Sequence, residues 1–376
     1  MIPYGRQFID VDDIKSVVDV LQSDWLTTGP GIAAFETEFA KTVGARYAVA
    51  VSSGTAALHC AMFALGITSG DEVIVTPMTF AATANCIVYQ GGVPVFADVL
   101  PDTLLIDPDE VKKKITSKTK AIIAVDYAGH PCNWDALKQI AHDNGVWLVA
   151  DSCHALGATY HGLKVGSLAD LSTFSFHPVK HITTGEGGMI TTDHEGFAGR
   201  MRLFRNHGIT TDHHQREHLG SWAYEMTDLG FNYRITDFQC ALGLSQLKKL
   251  PLFLQRRSEI ARQYDGAFAL LEGVAPLEKD QGVTHAYHLY VIKLTPDIVL
   301  RSREQIFHEL RNRGIGVNVH YIPVHLHPYY QKQWGSRPGD CPRAEAAYEQ
   351  ILSLPMFPGL TEDDVSLLIE QIWLCF

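Results

Sequence analysis

Between residues 48 and 192, short runs rich in Val, Ile and Ala alternate with longer stretches of helical pattern. This alternation restricts the possible folds more than any other feature of the chain. Residues 48–51, 72–75, 93–97, 121–127 and 146–150 read as strands, and 55–65, 81–89 and 134–144 as helices. Short apolar strands separated by crossover helices predict an α/β fold on a large, mostly parallel sheet. Residues 171–176 and 188–192 bracket a polar, glycine-rich turn and read as neighbouring strands. Ahead of the alternation, 12–22 is a polar helix candidate, and Gly29-Pro30-Gly31 predicts fixed, irregular backbone rather than a continuing helix. Behind it, a helical stretch runs from about 236 to 270 with a proline interruption at Pro251. The domain boundary is placed there: 1–250 is a large domain and 251–376 a smaller C-terminal α/β domain. The smaller part has strand candidates at 288–294 and 316–320 and helices near 303–313, 341–351 and 363–374.

A chain of 376 residues buries roughly three quarters of its unfolded surface, so it needs neither disulfides nor metal to fold. With 46% hydrophobic and 19% charged residues it is neither disordered nor fibrous. Lys plus Arg is 31 against 42 for Asp plus Glu, a net charge of −11. That balance argues against a broad nucleic-acid-binding face, and it requires positive groups to be gathered in one place for any anionic substrate. Cysteines stand at 60, 86, 132, 153, 240, 341 and 375, odd in number and without a CxxC pair. Such spacing is no disulfide framework and points to a reducing compartment. The opening MIPYGRQFIDVDD is charged where a signal peptide needs an apolar run, and the apolar stretches fall well short of the roughly 20 residues that span a bilayer. A cytoplasmic protein without membrane or nucleic-acid partners is expected.

Ligands of open α/β sheets bind outside the carboxyl ends of the strands, and three polar features occupy such positions. In Val51-Ser-Ser-Gly-Thr-Ala-Ala-Leu58 a strand runs directly into a helix. The helix start can hold a phosphate with free N–H groups and hydroxyls, or it is simply an ordinary Ser/Thr cap. Val146-Trp-Leu-Val-Ala-Asp151 delivers one carboxylate at a strand end, suited to capping, to Mg²⁺, to base chemistry or to a protonated heterocycle. Finally, Lys180 stands alone among hydroxyls, histidines and glycines in SFHPVKHITTGEGG, with no P-loop pattern around it. A Schiff-base lysine, an anion for a pyridinium nitrogen and a phosphate cradle are together the needs of pyridoxal 5′-phosphate.

At this level the chain resembles the DegT/DnrJ/EryC1/StrS family of nucleotide-sugar aminotransferases. The segments that carry the likeness are WLTTGP, AVAVSSGTAALH, DEVIVTPMTFAATAN, DSCHALGA, TFSFHPVKHITTGEGG, RNHGI, LGFNYRITDFQCALG, YIPVHLHPYY and LSLPMFPGLTEDD. Spread nearly end to end, they extend the resemblance over about 350 residues, and the lysine stretch is the most specific of them. The resemblance implies the fold-type I architecture of aspartate aminotransferase. Within the family, SFHPVKHITTGEGG with HALGA is most similar to the branch that serves pseudaminic acid biosynthesis. That branch implies transfer of an amino group from L-glutamate to the C4 keto group of a UDP-linked 2-acetamido-2,6-dideoxy-hexos-4-ulose.

Carried over residue by residue, the likeness makes Lys180 the Schiff-base lysine and proton shuttle. Asp151 becomes the partner of the pyridine nitrogen, Phe80 the aromatic stacked on the ring, and His154 a ring contact. Gly54, Thr55 and Ser175 hold the phosphate. Asn232 matches an asparagine that reaches the phosphate from the partner subunit, which implies a homodimer as the minimum catalytic unit. Trp25, Thr27, His207, Arg234, His320, Tyr321 and His325 fall in segments the family uses near the nucleotide-sugar. The run from His320 to His327 is not expected to bind metal, because Pro323 breaks the strand and no carboxylate joins the imidazoles. His213, His214, Arg216 and His218 read as an exposed polar loop, or else as an edge of the site. Where many relatives carry acidic-Asp-Ala-Ala or acidic-Asp-Ala-Ser, this chain has Ala150-Asp-Ser-Cys153, with Cys153 expected to serve packing. Other acceptors of the same chemistry are a UDP-4-keto-arabinose type, a dTDP-3-keto sugar or a GDP-4-keto sugar. A pyridoxal-phosphate-dependent sugar dehydratase, which would have histidine in place of Lys180, and a non-enzymatic sensor are the remote alternatives.

Overall fold

The computed structural model describes residues 1–211, 216 and 220–376. Seven strands build the central sheet in the order β1-β9-β8-β5-β4-β2-β3. They are β1 (Tyr47–Val51), β2 (Glu72–Val75), β3 (Val93–Phe96), β4 (Thr119–Val125), β5 (Trp147–Asp151), β8 (Leu171–Ser175) and β9 (Gly188–Thr192). Every pairing from β8 to β3 is parallel, whereas β9 runs antiparallel to both β8 and β1. The period of two sorts residues between the faces: Ala48, Ala50, Ile122 and Ala124 join one buried cluster, and Val49, Val51, Ala121 and Ile123 join the other. A sheet covered on both sides produces the unbroken apolar strands of the sequence.

The covering helices begin with α1 (Val11–Leu21), α2 (Pro30–Val43), α3 (Gly54–Leu65), α4 (Ala82–Tyr89), α5 (Pro108–Lys114), α6 (Trp134–Asn144) and α7 (Glu195–Phe204). In α3 apolar residues on nearly every side are buried, the Ser53 side chain caps the first turn, and Gly66 ends the helix at φ 74°. The Gly29-Pro30-Gly31 run is not irregular throughout. Pro30 is the first residue of α2, where its fixed φ and missing N–H cost nothing.

Helix α8 (Asp237–Phe268) continues through Pro251, so the expected interruption does not end it. Beyond it a second, antiparallel sheet takes the order β10 (Val274–Pro276), β12 (Tyr290–Leu294), β13 (Ile351–Leu354). Its cluster includes Ile260, Tyr264, Ile292, Leu310, Leu352 and Leu368, with contributions from α9 (Arg303–Asn312) and α12 (Glu362–Trp373). Between them, α10 (Pro328–Trp334) and α11 (Pro342–Gln350) place Tyr330 and Ala344 in the cores of the large sheet. Residues 316–320 form no strand and make a single bridge, Asn318 to Ser353. We propose the division at 250/251 as an approximate one, because α8 spans it and Ala286, Leu289, Tyr330 and Ala344 beyond it pack in the cores of the large sheet. Three short strands, β11 (Val283–Thr284), β6 (Thr159–Tyr160) and β7 (Leu163–Lys164), pair across it as well. The first residues return to the far end of the chain: Ile2 bridges Ile315, and the Met356 N–H donates to the Tyr4 carbonyl at 3.0 Å. No described helix is long and apolar enough to cross a membrane.

Candidate active site

The carboxyl ends of β1, β2, β4, β5 and β8 open on a cavity of about 580 Å³. Its wall holds Gly54, Thr55, Phe80, Asp151, His154, Ser175, Lys180, His320 and Tyr321, nine of the residues expected from sequence. Asp151 ends β5 and is 5% exposed. One of its oxygens accepts from Thr83 Oγ1 at 2.7 Å and the other from the Cys153 N–H at 3.2 Å. Thr83 in turn shares a 2.8 Å bond with Thr79 in the turn before α4, so a chain of two hydroxyls fixes the carboxylate.

At the start of α3 the Ser53 hydroxyl takes the Ala56 N–H. The N–H groups of Gly54 and Thr55 lie in the first turn, where no intrahelical carbonyl is available. A Cβ on Gly54 would lie 2.8 Å from the Ser175 Cβ, so only glycine lets helix and strand approach so closely. The half-buried Lys180 places Nζ 3.3 Å from His288 Nε2. Burial lowers its pKa below the ordinary lysine value, with Cys153 and Asp151 opposing and Arg257 adding to the shift.

Imidazoles and phenols fill the inner wall. His154 Nε2 lies 3.0 Å from the Tyr321 hydroxyl, and its Nδ1 accepts the Ala128 N–H at 3.3 Å. His181 Nε2 bonds the Ala286 carbonyl, and His320 Nδ1 bonds Ser353 Oγ at 2.9 Å. Burial holds His154 and His181 well below the ordinary histidine range and takes His320 down to about 3. These rings are therefore neutral at working pH. The Cys153 thiol is pushed well above its usual value by burial and then by Asp151, which leaves it unreactive.

The other expected residues lie elsewhere. His325 is fully buried, and its Nε2 bonds Glu345 at 2.9 Å. It does not line the cavity, and a carboxylate does join this imidazole. Trp25 and Thr27 belong to a loop held by Asp237, which accepts the Gly29 and Gly31 N–H groups at 2.8 Å each. Arg234 donates to Asn206 and lines a separate cleft of about 560 Å³ with Arg202, Arg205 and Glu36. His207 and Asn232 are exposed on two adjoining segments, bridged at Asn206 and Asn232. His213, His214 and His218 lie outside the described residues, and Arg216 bonds the Thr211 carbonyl.

Several lining residues were not anticipated: Tyr4, Thr79, Thr83, Glu186, His288 and Asn318. Thr79 and Thr83 sit four apart at a helix start, a pattern that could have been noticed. His288 is 108 positions from Lys180 and carries no local signal. Asp126 was missed too. Buried beside Asp151, it accepts from Ser152 Oγ at 2.7 Å and from the Cys132 N–H, and burial pushes its pKa up to about 7.

A lysine, a strand-end carboxylate and a helix start now face one cavity, and residues 7–373 match the profile of the DegT/DnrJ/EryC1/StrS aminotransferase family. The chain belongs to that family. It is an aminotransferase of the α/β fold-type I class, and its cofactor is pyridoxal phosphate. It is 42% identical to the spore coat polysaccharide biosynthesis protein SpsC of Bacillus subtilis, covering 99% of this chain and 96% of that one. The putative sugar aminotransferase Spr1654 of Streptococcus pneumoniae, in its PMP-form, superposes with a TM-score of 0.94 at 35% identity over 100% and 99% of the two chains. Helicobacter pylori PseC, an aminotransferase involved in pseudoaminic acid biosynthesis, superposes at 0.92 with 34% identity over 100% and 99%.

Proposed function

We propose that the chain transfers an amino group from L-glutamate to C4 of UDP-2-acetamido-2,6-dideoxy-β-L-arabino-hex-4-ulose. The products are UDP-4-amino-4,6-dideoxy-N-acetyl-β-L-altrosamine and 2-oxoglutarate. The observation that carries the transamination is the convergence of Lys180, the Thr83-bound Asp151 and the Gly54–Thr55 helix start on one cavity. Bound pyridoxal phosphate supplies a carbonyl that condenses with amines and a ring that withdraws electrons. The chain does the rest. Gly54, Thr55 and Ser175 hold the phosphate with neutral donors, so an acidic protein needs no lysine cluster for it. Asp151 would keep the pyridine nitrogen protonated, and Phe80 and His154 would lie against the ring. Lys180 anchors the cofactor and moves the proton to or from the carbon that gains or loses nitrogen. Its lowered pKa serves that shuttle near neutral pH.

In this reading the working unit is a homodimer in which Asn232 of the partner subunit reaches the phosphate. Trp25, Thr27, His207 and Arg234 likewise serve the partner's sugar pocket, while His320 and Tyr321 serve their own. Support comes from their exposure or their place in the Arg-lined cleft, and from the apolar run Trp222, Tyr224, Met226, Leu229 and Phe231, all exposed. Asp151, Lys180 and Glu186 are the described Asp, Glu, Lys or Arg residues of the cavity, so cations for a diphosphate must come from another surface.

The UDP-N-acetyl acceptor is supported by the likeness to PseC, which is described as an enzyme of pseudoaminic acid biosynthesis, and another nucleotide keto-sugar is the second reading because SpsC is described as a spore coat polysaccharide biosynthesis protein. Incubation with glutamate and a panel of UDP-, dTDP- and GDP-linked keto-sugars separates the two, with products identified by mass and NMR. Fastest turnover is expected for the UDP-N-acetyl ketone, and much faster turnover of a dTDP or GDP compound would overturn that specificity.

A further inference from the structure

His288 stands just ahead of β12, far in sequence from the lysine stretch. Its side chain is buried at the cavity wall, 4.3 Å between ring centroids from His154 and 5.7 Å from His181. Its backbone is fixed from behind. Arg257 of α8 is fully buried and donates to the carbonyls of Tyr287, His288 and Met356, with no carboxylate among its partners in the described residues. The imidazole therefore presents Nε2 to Lys180 Nζ at 3.3 Å, while Nδ1 is buried with no hydrogen-bond partner among the described residues.

The two ring nitrogens constrain each other. The ring faces Lys180, Arg257, His154 and His181, all basic, and burial with these neighbours holds it neutral. The acidic groups that act on Lys180 are the Cys153 thiol and Asp151, with Glu186 also on the wall. One proton is then shared between two sites. On Nδ1 it would create a buried N–H without an acceptor, which folded proteins seldom tolerate. On Nε2 it leaves only an unused acceptor behind, and the N–H points at the lysine nitrogen. An ammonium cannot accept that bond; a free amine can.

We propose that His288 is a positioning residue for Lys180, whose amine nitrogen accepts the Nε2–H bond and is held as the free base whenever it is not bonded to the cofactor. The inference rests on the reading above, in which Lys180 is the cofactor lysine. Cofactor-free protein with ¹⁵N-labelled histidine tests it, the His288 signals being assigned by their loss in His288→Gln. The expected tautomer has Nε2 protonated and Nδ1 bare; a proton on Nδ1 overturns the proposal. The second measurement is the pH profile of Lys180 acylation in cofactor-free protein, read by peptide mass, whose midpoint reports protonation of the amine. His288→Met, which has no donor, is expected to raise the midpoint by about 0.7 pH unit, a fivefold change in proton affinity, and His288→Gln to restore most of the shift. Equal midpoints in all three proteins overturn the proposal. Borohydride reduction of the loaded parent tests the underlying reading separately. Cofactor fixed on another lysine defeats that reading, whatever the tautomer.

Discussion

Asp151 is held in place by a neighbour. Thr83→Val removes the 2.7 Å bond to its carboxylate while keeping the shape of the side chain. Hydrogen bonds to charged groups are worth about 1.5–3 kcal/mol, so cofactor affinity is expected to fall roughly ten- to a hundredfold. Absorbance titration of the cofactor-free protein measures this, and an unchanged Kd would remove Thr83 from the proposed site. Gly54→Ala places a methyl 2.8 Å from the Ser175 Cβ. Overpacking of about 1–3 kcal/mol is expected, seen as a lower Tm together with weaker cofactor binding. Lys180 and Asp151 could be found from sequence because each stands alone in an apolar or hydroxyl-rich setting at a strand end. His325 was misassigned because Glu345, which holds it, is supplied by another helix. His288 could not be found at all, since only the tertiary fold brings it to Lys180.

Element boundaries followed the sequence wherever one short-range rule decided them. Ser53 and Gly66 bound α3, and the strands of the large sheet sit where β-rich runs predicted. Competing rules produced the errors. Gly-Pro-Gly reads as a break, yet proline is well suited to the first turn of a helix. Pro251 reads as a stop, yet Leu250 and Phe253 are buried on either side of it and packing carries α8 through. Because Pro251 itself is exposed and interior, Pro251→Ala is expected to stabilise the protein by up to about 3 kcal/mol, measured by urea unfolding. No gain would mean that the helix has adapted its path to the proline. Farther back in α8, a Cβ on Gly243 would meet the Phe35 ring at 2.6 Å.

Protons set the stability of the molecule as a whole. Seven described histidines, at 59, 130, 154, 181, 285, 288 and 320, have pKa values lowered chiefly by burial, to about 4 for His59 and about 3 for His320. Once unfolded they titrate near 6.5, so below that pH the unfolded chain binds more protons and stability is lost as pH falls. Asp126, raised by burial to about 7, keeps a proton that the unfolded chain releases and so acts in the opposite direction. Seven sites outweigh one. The urea midpoint is expected to drop clearly between pH 7 and pH 5, each net proton contributing about 1.4 kcal/mol per pH unit. A flat midpoint would mean that these imidazoles are not held neutral.

The closure of the chain on itself also bears on its synthesis. Tyr4 lines the cavity, and its carbonyl is held by Met356, while Ile2 bonds Gly314 and Gly316. Residues 2–4 thus find their places only once residues 314–356 have been made. A nascent chain can complete its seven-stranded sheet from residues 47–192 and still lack one wall of the cavity until residues 314–356 have emerged.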